Sequence, residues 1–451
     1  EHPAAKMMVE IAKTQENEVG DGTTTAVMIA GKLLENAESL LDNKIHPTVI
    51  TKGYRLAAEK SQELLKELAI NINPEQENLL RQIVITAITG KGAEVVKEKF
   101  ADLIVKAVKQ IYNGGVDLSD IKIEKAKGNG IEDTELISGI VFDKGRVSAD
   151  MPKKIENARI ALVDTALEIK NPEIDTKVSI SSPEQLRGFL DQEDLMLREM
   201  VAKIKASGAN VVFCQRGIDD VAQYYLAKEK IYAVRRIAKS DMEKLARATG
   251  GKVVSKLSEL SSDLLGQAKI VEEVKNKDEE LTFVKGCINP KALTILIRGG
   301  SEHVIDEMKR AIEDGLGGVA AALKDGKVVA GGGAIEIELA RRLRMFAKQL
   351  SGREQLAVEK FADALEFIPS TLAENAGLDP IDILTALKAK HDNGEKNTGL
   401  NLLSNKIEDN YLAGVIEPLR IKTQAINSAS EVAIMILRID DVIAAGGSKS
   451  K

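Results

Sequence analysis

"EVGDGTTTAVMIAGKLL" (residues 18–34) sets one aspartate between two glycines and follows it with three threonines. Before it, "AAKMMVEIAKTQ" (4–15) places Ala4, Met8, Ile11 and Ala12 at helical spacing; after it, Val27, Ala30, Leu34 and Ala37 do the same. The spacing predicts helix, tight loop, helix. A helix N-terminus offers unpaired N–H groups and a partial positive charge, and glycines let a ligand approach the backbone. Thr23, Thr24 and Thr25 add hydroxyl donors. Asp21 would repel a phosphate unless a cation sits between them, as Mg²⁺ does in nucleotide sites. Residues 20–25 therefore read in two ways: a Mg-phosphate loop without the Walker lysine, or a helical-hairpin turn with Asp and Thr as caps.

Outward from this loop the chain has three textures. Residues 1–95 are mostly helical, over 4–15, 24–42, 46–69 and 75–89. Between 145 and 300, β-rich runs (158–166, 209–215, 232–237, 281–286 and 292–299) alternate with helical stretches such as 183–206 and 241–248, which predicts an α/β domain. Long helices resume over 302–325, 334–348, 353–376, 380–392 and 422–439. A helical region interrupted by an α/β insert and then resumed implies a discontinuous domain. The tail "GGSKSK" carries no chemistry and reads as flexible.

Composition excludes several classes. The 451 residues are long enough for more than one core. A net charge of −6, no Trp and 3% aromatic residues argue against a nucleic-acid surface. Cys214 and Cys287 show neither metal spacing nor a disulfide framework, which fits a reducing, cytoplasmic setting. His2, His46, His303 and His391 are scattered without ligand spacing. No apolar run reaches membrane-spanning length and no signal peptide opens the sequence, so no membrane partner is expected.

Two further stretches bear on the phosphate question. "KVVAGGGAIEIELARRL" (327–343) puts Gly331, Gly332 and Gly333 between a β-like run and a helix, without the spacing of a dinucleotide fingerprint. A dinucleotide-dependent enzyme would rest on this run alone and fails on that spacing. "SEHVIDEMKRAIEDGLGGVAAALKDG" (301–326) puts Val304, Met308, Ile312, Val319 and Leu323 on one helix face and Asp314 at its middle, followed by "GLGG". Helix-interior glycines each cost roughly 1 kcal/mol relative to Ala, so they mark a soft point. Asp314 is either a solvated acid on a marginal helix or a carboxylate on a mobile arm that orients a water. By contrast, Asp379–Pro380 is a complete helix start, with Gly377 closing the helix before it, so Asp379 and Asp382 read as structural.

Taken in order, "VGDGTTTAV", "ITGKGAE" (88–94), "MPKKIENARIAL" (151–162), "ASGANVVFCQRGIDDVAQYYLAK" (206–228), "KSDMEKLARATGG" (239–251), "KVVAGGGA", "LAENAGLDPIDIL" (372–384) and "AGVIEPLRIKTQAI" (413–426) resemble a group II chaperonin of the thermosome type, over essentially the whole chain. The resemblance implies a multidomain α and α/β chaperonin fold. It assigns 1–85 and 328–451 to a helical equatorial domain, 86–145 and 299–327 to a small intermediate domain, and 146–298 to an α/β apical domain with a lid protrusion at about 167–201.

The same resemblance implies site residues and partners. Asp21 corresponds to the Mg²⁺ ligand, with Gly20, Gly22, Thr23, Thr24 and Thr25 around the phosphates of ATP or ADP. Asp314 corresponds to the catalytic aspartate that activates water, and Lys91 to the lysine that senses the γ-phosphate. Gly332 and Gly333 lie along the nucleoside, and Glu417 accepts from the ribose hydroxyls. Domain closure would then bring Asp314 and Asp21 to one phosphate. The implied partners are non-native proteins and like subunits in a stacked double ring, with no separate co-chaperonin lid. Client contact is expected on the amphipathic helix carrying Leu186, Phe189, Leu190, Leu197 and Val201, whose half at 195–206 reads as core, and on 217–228, with Val221, Tyr224, Tyr225 and Leu226.

Members of this family carry a further N-terminal stretch, with a Leu-Gly-Pro-Lys-Gly phosphate loop and an Asn-Asp-Gly motif; neither occurs in these residues, so the sequence is expected to cover part of a longer protein. The glycine-rich 315–318 also departs from the family and predicts a more flexible intermediate hinge. Two functions of different class follow: an ATP-driven folding machine, or a nucleotide-independent holdase or structural ring with an impaired site.

Overall fold

The computed structural model describes residues 2–128, 130–169, 182–276, 279–288 and 292–439. The first third of the chain holds α1 (Pro3–Val19), α2 (Thr23–Asp42), α3 (Pro47–Leu68), β1 (Ile70–Asn71), α4 (Glu77–Ile88) and α5 (Lys97–Ile111). The middle holds β2 (Ile121–Lys127), β3 (Glu135–Phe142), β4 (Lys154–Val163), α6 (Pro183–Ala206), β5 (Val211–Cys214), α7 (Asp220–Lys228), β6 (Tyr232–Val234), α8 (Lys239–Thr249), β7 (Val253–Val254), β8 (Gly266–Asn276), β9 (Glu279–Cys287) and β10 (Leu293–Gly299). The last third holds α9 (Glu302–Asp325), β11 (Lys327–Ala330), α10 (Ala334–Ala347), α11 (Glu354–Asn375), α12 (Pro380–Asp392), β12 (Thr398–Asn401), β13 (Lys406–Asp409), β14 (Ile416–Pro418) and α13 (Leu419–Ile436).

These elements form two compact units. The first is assembled from both ends of the chain, Glu1–Val108, Asn113–Val116 and Arg310–Lys451; the second is Lys109–Tyr112 and Asp117–Lys309. The division runs through the two segments, 86–145 and 299–327, that the family resemblance assigns to an intermediate domain.

The first unit is a helical bundle with small sheets. Its core joins α1, α2, α3, α10, α11 and α13 through Ile11, Leu33, Tyr54, Leu339, Phe361 and Ile426. Tyr54 sits edge-on to Phe361 with ring centroids 5.8 Å apart, and its hydroxyl donates to the Leu33 carbonyl oxygen at 2.7 Å. Burying that ring is favourable only because the hydroxyl keeps a partner. Several helices start as composition dictates. The His2 and His46 ring nitrogens accept from Ala4 N and Thr48 N ahead of Pro3 and Pro47, and Asp379 accepts from Ile381 N and Asp382 N ahead of Pro380. β11 pairs antiparallel with both β1 and β14, and β12 with β13.

The second unit carries a mixed nine-stranded sheet in the order β2-β10-β3-β9-β8-β4-β5-β6, with β7 on β4. Where β4, β5 and β6 run parallel, the strands read as near-continuous apolar runs because both faces are covered. Helix α6 divides as its sequence suggests. Leu197, Val201 and Ile204 are buried, while Leu186, Phe189 and Leu190 are exposed, as are Leu195 and Met196 at the edge of the half expected to be core. On α7, Val221 and Tyr224 are exposed but Leu226 is fully buried. Of the predicted protrusion at 167–201, residues 170–181 lie outside the described residues, as does the tail "GGSKSK".

Helix α9 is continuous through "GLGG". The glycines have a packing reason. A Cβ on Gly315 would lie 2.8 Å from Ile104 Cδ1, and one on Gly317 would lie 3.0 Å from Gly20 Cα. They let α9 approach its neighbours closely, at the helix-propensity cost that the sequence shows.

Candidate functional site

The Gly-Asp-Gly turn is fixed by backbone conformation and local hydrogen bonds. Helix α1 ends at Gly20 (φ 71°), whose N–H donates to Glu16 O, and α2 begins after Gly22 (φ 81°). Both are left-handed conformations that favour glycine. Asp21 Oδ1 accepts from the Gly22 N–H at 2.7 Å. Gly22 also has no room for a side chain, because a Cβ would lie 2.6 Å from Ile421 Cγ2. Behind the turn, fully buried Gln15 donates from Nε2 to the carbonyl oxygens of Asp21 (2.9 Å) and Ile421 (3.2 Å), tying the turn to α13.

Lys91 follows α4 in the turn that carries "TGKG". Its Nζ donates to Asp314 Oδ2 at 2.6 Å and to Asp21 Oδ1 at 3.3 Å. Burial alone would push the Lys91 ammonium down, but the two carboxylates outweigh it and its pKa is raised. Asp314 is pushed up to about 6, chiefly by burial, with the Asp21 and Glu16 charges adding and Lys91 opposing. All three residues belong to the first unit.

A cavity of about 630 Å³ opens beside them. Asp21, Gly22 and Thr23–Thr25 line it together with Lys91, Asp314, Gly332 and Glu417. Gly20 and Gly333 do not line it. Gly20 packs against Gly317, and Gly333, at the N-cap of α10, packs against Pro369. Glu417 Oε2 lies 2.7 Å from Lys422 Nζ, and burial raises the Glu417 pKa against the pull of that lysine. The lining also includes residues that the sequence did not single out, among them Thr371, Asn375, Leu400 and Asn401. These sit on α11 and β12, and no phosphate-type motif marks them. Gln15, Glu336 and Lys422 were missed for the same reason, since each acts from behind the lining.

The donor set fits a magnesium ion held with phosphate. Among the described residues no group of three or more His, Cys, Asp or Glu side chains converges to hold a metal. Instead, the Asp21 and Asp314 carboxylates meet on a single ammonium, which stands where a cation is wanted. Mg²⁺ commonly binds through one or two carboxylates plus phosphate oxygens and water, not in an all-protein cage.

Comparison with known proteins identifies the family. The model of the TCP-1/cpn60 chaperonin family matches residues 1–447. The chain is 59% identical to a thermosome subunit of Methanopyrus kandleri over 450 residues, covering 99% of this chain and 83% of that one. It is 60% identical to the thermosome subunit beta of Archaeoglobus fulgidus, again over 99% and 83% of the two chains. The fold matches the open-state monomer of a group II chaperonin from Methanococcoides burtonii with a TM-score of 0.69 and 49% identity, covering 93% of this chain and 100% of that one. With the family model matching residues 1–447 and a group II chaperonin structure 49% identical over 93% of the chain, the chain belongs to the TCP-1/cpn60 chaperonin family, in its group II branch.

Proposed function

We propose that this chain is a subunit of an ATP-dependent chaperone that binds non-native proteins and couples Mg-ATP hydrolysis to closure of a built-in lid. The observation that carries the reading is the Lys91 ammonium held between Asp21 and Asp314 at the edge of a cavity floored by the α2 N-terminus. The α2 N–H groups and Thr23–Thr25 bind the phosphates of ATP or ADP. Asp21 would hold Mg²⁺, which when bound would supply charge neutralisation at the phosphates. Asp314 takes the proton of the attacking water and orients it. Lys91 leaves the carboxylates to pair with the terminal phosphate, so its position reports whether that phosphate is present. Glu417 accepts from the ribose, and Gly332 lets the backbone lie along the nucleoside.

The wider reading is a three-domain subunit with the equatorial, intermediate and apical boundaries given above. It works with identical or related subunits in a stacked double ring in the cytoplasm, without a separate cap. No helix among the described residues is long and apolar enough to cross a membrane. Exposed Leu186, Phe189, Leu190 and Tyr224 offer apolar surface to a non-native chain. That surface needs no nucleotide, and it supports the second reading, a nucleotide-independent holdase.

Steady-state ATP hydrolysis with Mg²⁺, beside Asp314→Ala, separates the two. The first reading expects turnover to fall by about 10²–10⁴-fold in the variant while nucleotide still binds. Equal turnover in both would remove Asp314 from the chemistry. Absence of nucleotide binding in the unmodified protein would leave the holdase.

A further inference from the structure

At one wall of the cavity Glu417 meets two further charged side chains from separate elements. Lys422 Nζ on α13 lies 2.8 Å from Glu336 Oε1 on α10 and 2.7 Å from Glu417 Oε2 on β14. The Lys422 and Glu336 side chains are only 5% and 2% exposed, and that of Glu417 is 22% exposed. One cation thus faces two carboxylates where there is little water. Glu336 gives just one oxygen to the lysine, and its Oε2 is buried with no hydrogen-bond partner. Buried charge that is incompletely paired is expensive, and apolar residues of like volume would make a more stable wall.

The exposed end of the trio suggests why the arrangement is kept. Of the three, only Glu417 lines the cavity. Its carboxylate is confined from two sides, by Lys422 at Oε2 and by the Gly331 backbone, where an added Cβ would come within 2.8 Å of Oε1. A side chain that carries one fixed charge and few accessible rotamers is a preorganised acceptor.

We propose that Lys422 is a positioning residue which, with Glu336 behind it, holds the Glu417 carboxylate aimed at the sugar hydroxyls of a bound nucleotide, and so sets a preference for ribonucleotides over their deoxy analogues. This rests on the reading of Glu417 as the ribose wall of the site. A site built to hydrogen-bond a substrate hydroxyl penalises the analogue that lacks it, because its own buried polar group is left unpaired. Three groups face Glu417: Lys422 from α13, Glu336 from α10 and Asp21 from the turn between α1 and α2. Burial, Glu336 and Asp21 favour the protonated acid, and Lys422 favours the carboxylate. Replacing Glu336 by Gln keeps an oxygen for Lys422 and removes one negative charge, so Glu417 stays ionised to lower pH. Replacing Lys422 by Met removes the only positive partner in the trio.

The test is equilibrium binding of ADP, 2′-deoxy-ADP and 3′-deoxy-ADP as a function of pH, with folding checked by circular dichroism. The unmodified protein is expected to bind ADP about tenfold or more tightly than the weaker deoxy analogue, as loss of a hydrogen bond to a charged group implies. Lys422→Met should bring that ratio close to unity near neutral pH. Glu336→Gln should keep the ratio and move its fading to lower pH; a merely structural role would not shift that profile. If Lys422→Met does not fold, the Glu336→Gln profile decides. Glu417→Gln separates the two levels of the argument. If it leaves the ratio unchanged, the ribose reading falls and the inference with it. If Glu417→Gln abolishes the ratio while Lys422→Met and Glu336→Gln match the unmodified protein, only the inference is overturned.

Discussion

The Lys91 ammonium sits 2.6 Å from the Asp314 carboxylate and 3.3 Å from that of Asp21, so one cation serves two acids that face the same cavity. Asp314 is pushed up to about 6, chiefly by burial, with the neighbouring Asp21 charge adding and Lys91 opposing. A group that must be ionised to accept a proton from water loses its activity as pH falls through its pKa. The acid limb of kcat/KM for ATP should therefore have its midpoint near pH 6, above the ordinary aspartate range. Lys91→Met removes the charge that opposes this rise, so the limb should move to higher pH as turnover falls. A pH–rate profile of both proteins checks this. A limb at the ordinary aspartate value in the unmodified protein would show that Asp314 is not the titrating base.

Gly317 of α9 meets Gly20 of the loop backbone to backbone. A Cβ at Gly317 would lie 3.0 Å from Gly20 Cα and 3.1 Å from Val19 O, and neither atom is a flexible side-chain tip. Gly317→Ala should cost about 1–3 kcal/mol through overpacking, in spite of the better helix propensity of alanine. It should also weaken nucleotide binding by displacing the Gly-Asp-Gly turn. Gly31, exposed on α2 with open space at its Cβ position, is the control; Gly31→Ala should gain roughly 0.5–1 kcal/mol. Thermal unfolding of the two variants, with ADP titrations, checks the contrast. Stabilisation by both would mean that the glycines loosen the helix and do not pack it.

These cases show what the sequence could and could not carry. The helices around 18–34 were legible because apolar spacing and caps are local signals. α9 was read over 302–325 and is Glu302–Asp325. Strands such as β8, "GQAKIVEEVKN", were not picked out, since its apolar residues are interleaved with charge and its pairing with β4 and β9 depends on distant partners. At the site, Asp21 and Asp314 stood out in their local sequence and Lys91 through the family resemblance, and the fold brings them together although 223 residues separate Lys91 from Asp314. What a glycine is for was not legible. "GLGG" looked like a weak point because its contacts, Ile104 and Gly20, lie far away in sequence. Gln15 and Lys422 were invisible for the same reason, since their work depends on α13 meeting α1 and α10.

Gln15 makes that dependence testable. It is fully buried, and its Nε2 is the side-chain donor shared by the Asp21 and Ile421 carbonyl oxygens. Gln15→Leu fills similar space but leaves both oxygens without that donor, which should cost about 1–3 kcal/mol. Because one of these oxygens belongs to Asp21 itself, Mg²⁺-dependent ADP binding should weaken more than binding measured without the metal. Calorimetric titrations with and without Mg²⁺ read this directly. An equal loss in both would show that Gln15 supports the unit as a whole and not the turn.

A last prediction concerns His391, which is fully buried between α12 and α10. Its Nδ1 lies 2.9 Å from Glu338 Oε2 and its Nε2 lies 2.7 Å from the Thr398 carbonyl oxygen. A carbonyl only accepts, so Nε2 carries a hydrogen. Glu338 also takes Arg341 and Arg342. Burial would raise the Glu338 pKa, but His391, Arg341 and Arg342 outweigh it and hold the carboxyl down at about 2. A depressed carboxyl contributes stability above its unfolded pKa, about 4.3, and loses it as pH falls toward the folded value. Glu338→Gln removes a buried carboxylate that accepts from Arg341 and Arg342 and should cost about 1.5–3 kcal/mol at neutral pH. That difference from the unmodified protein should shrink as pH falls below about 4.3, where the native carboxyl begins to lose its own advantage. The effect should reach the cavity as well, since Thr398 opens β12 and the Leu400 N–H on that strand donates to Gly332 O at 2.8 Å. Hydrogen exchange of the α10, α12 and β12 amides at neutral and acid pH measures both effects. A deficit that stays constant with pH would mean that Glu338 contributes through packing and not through its charge.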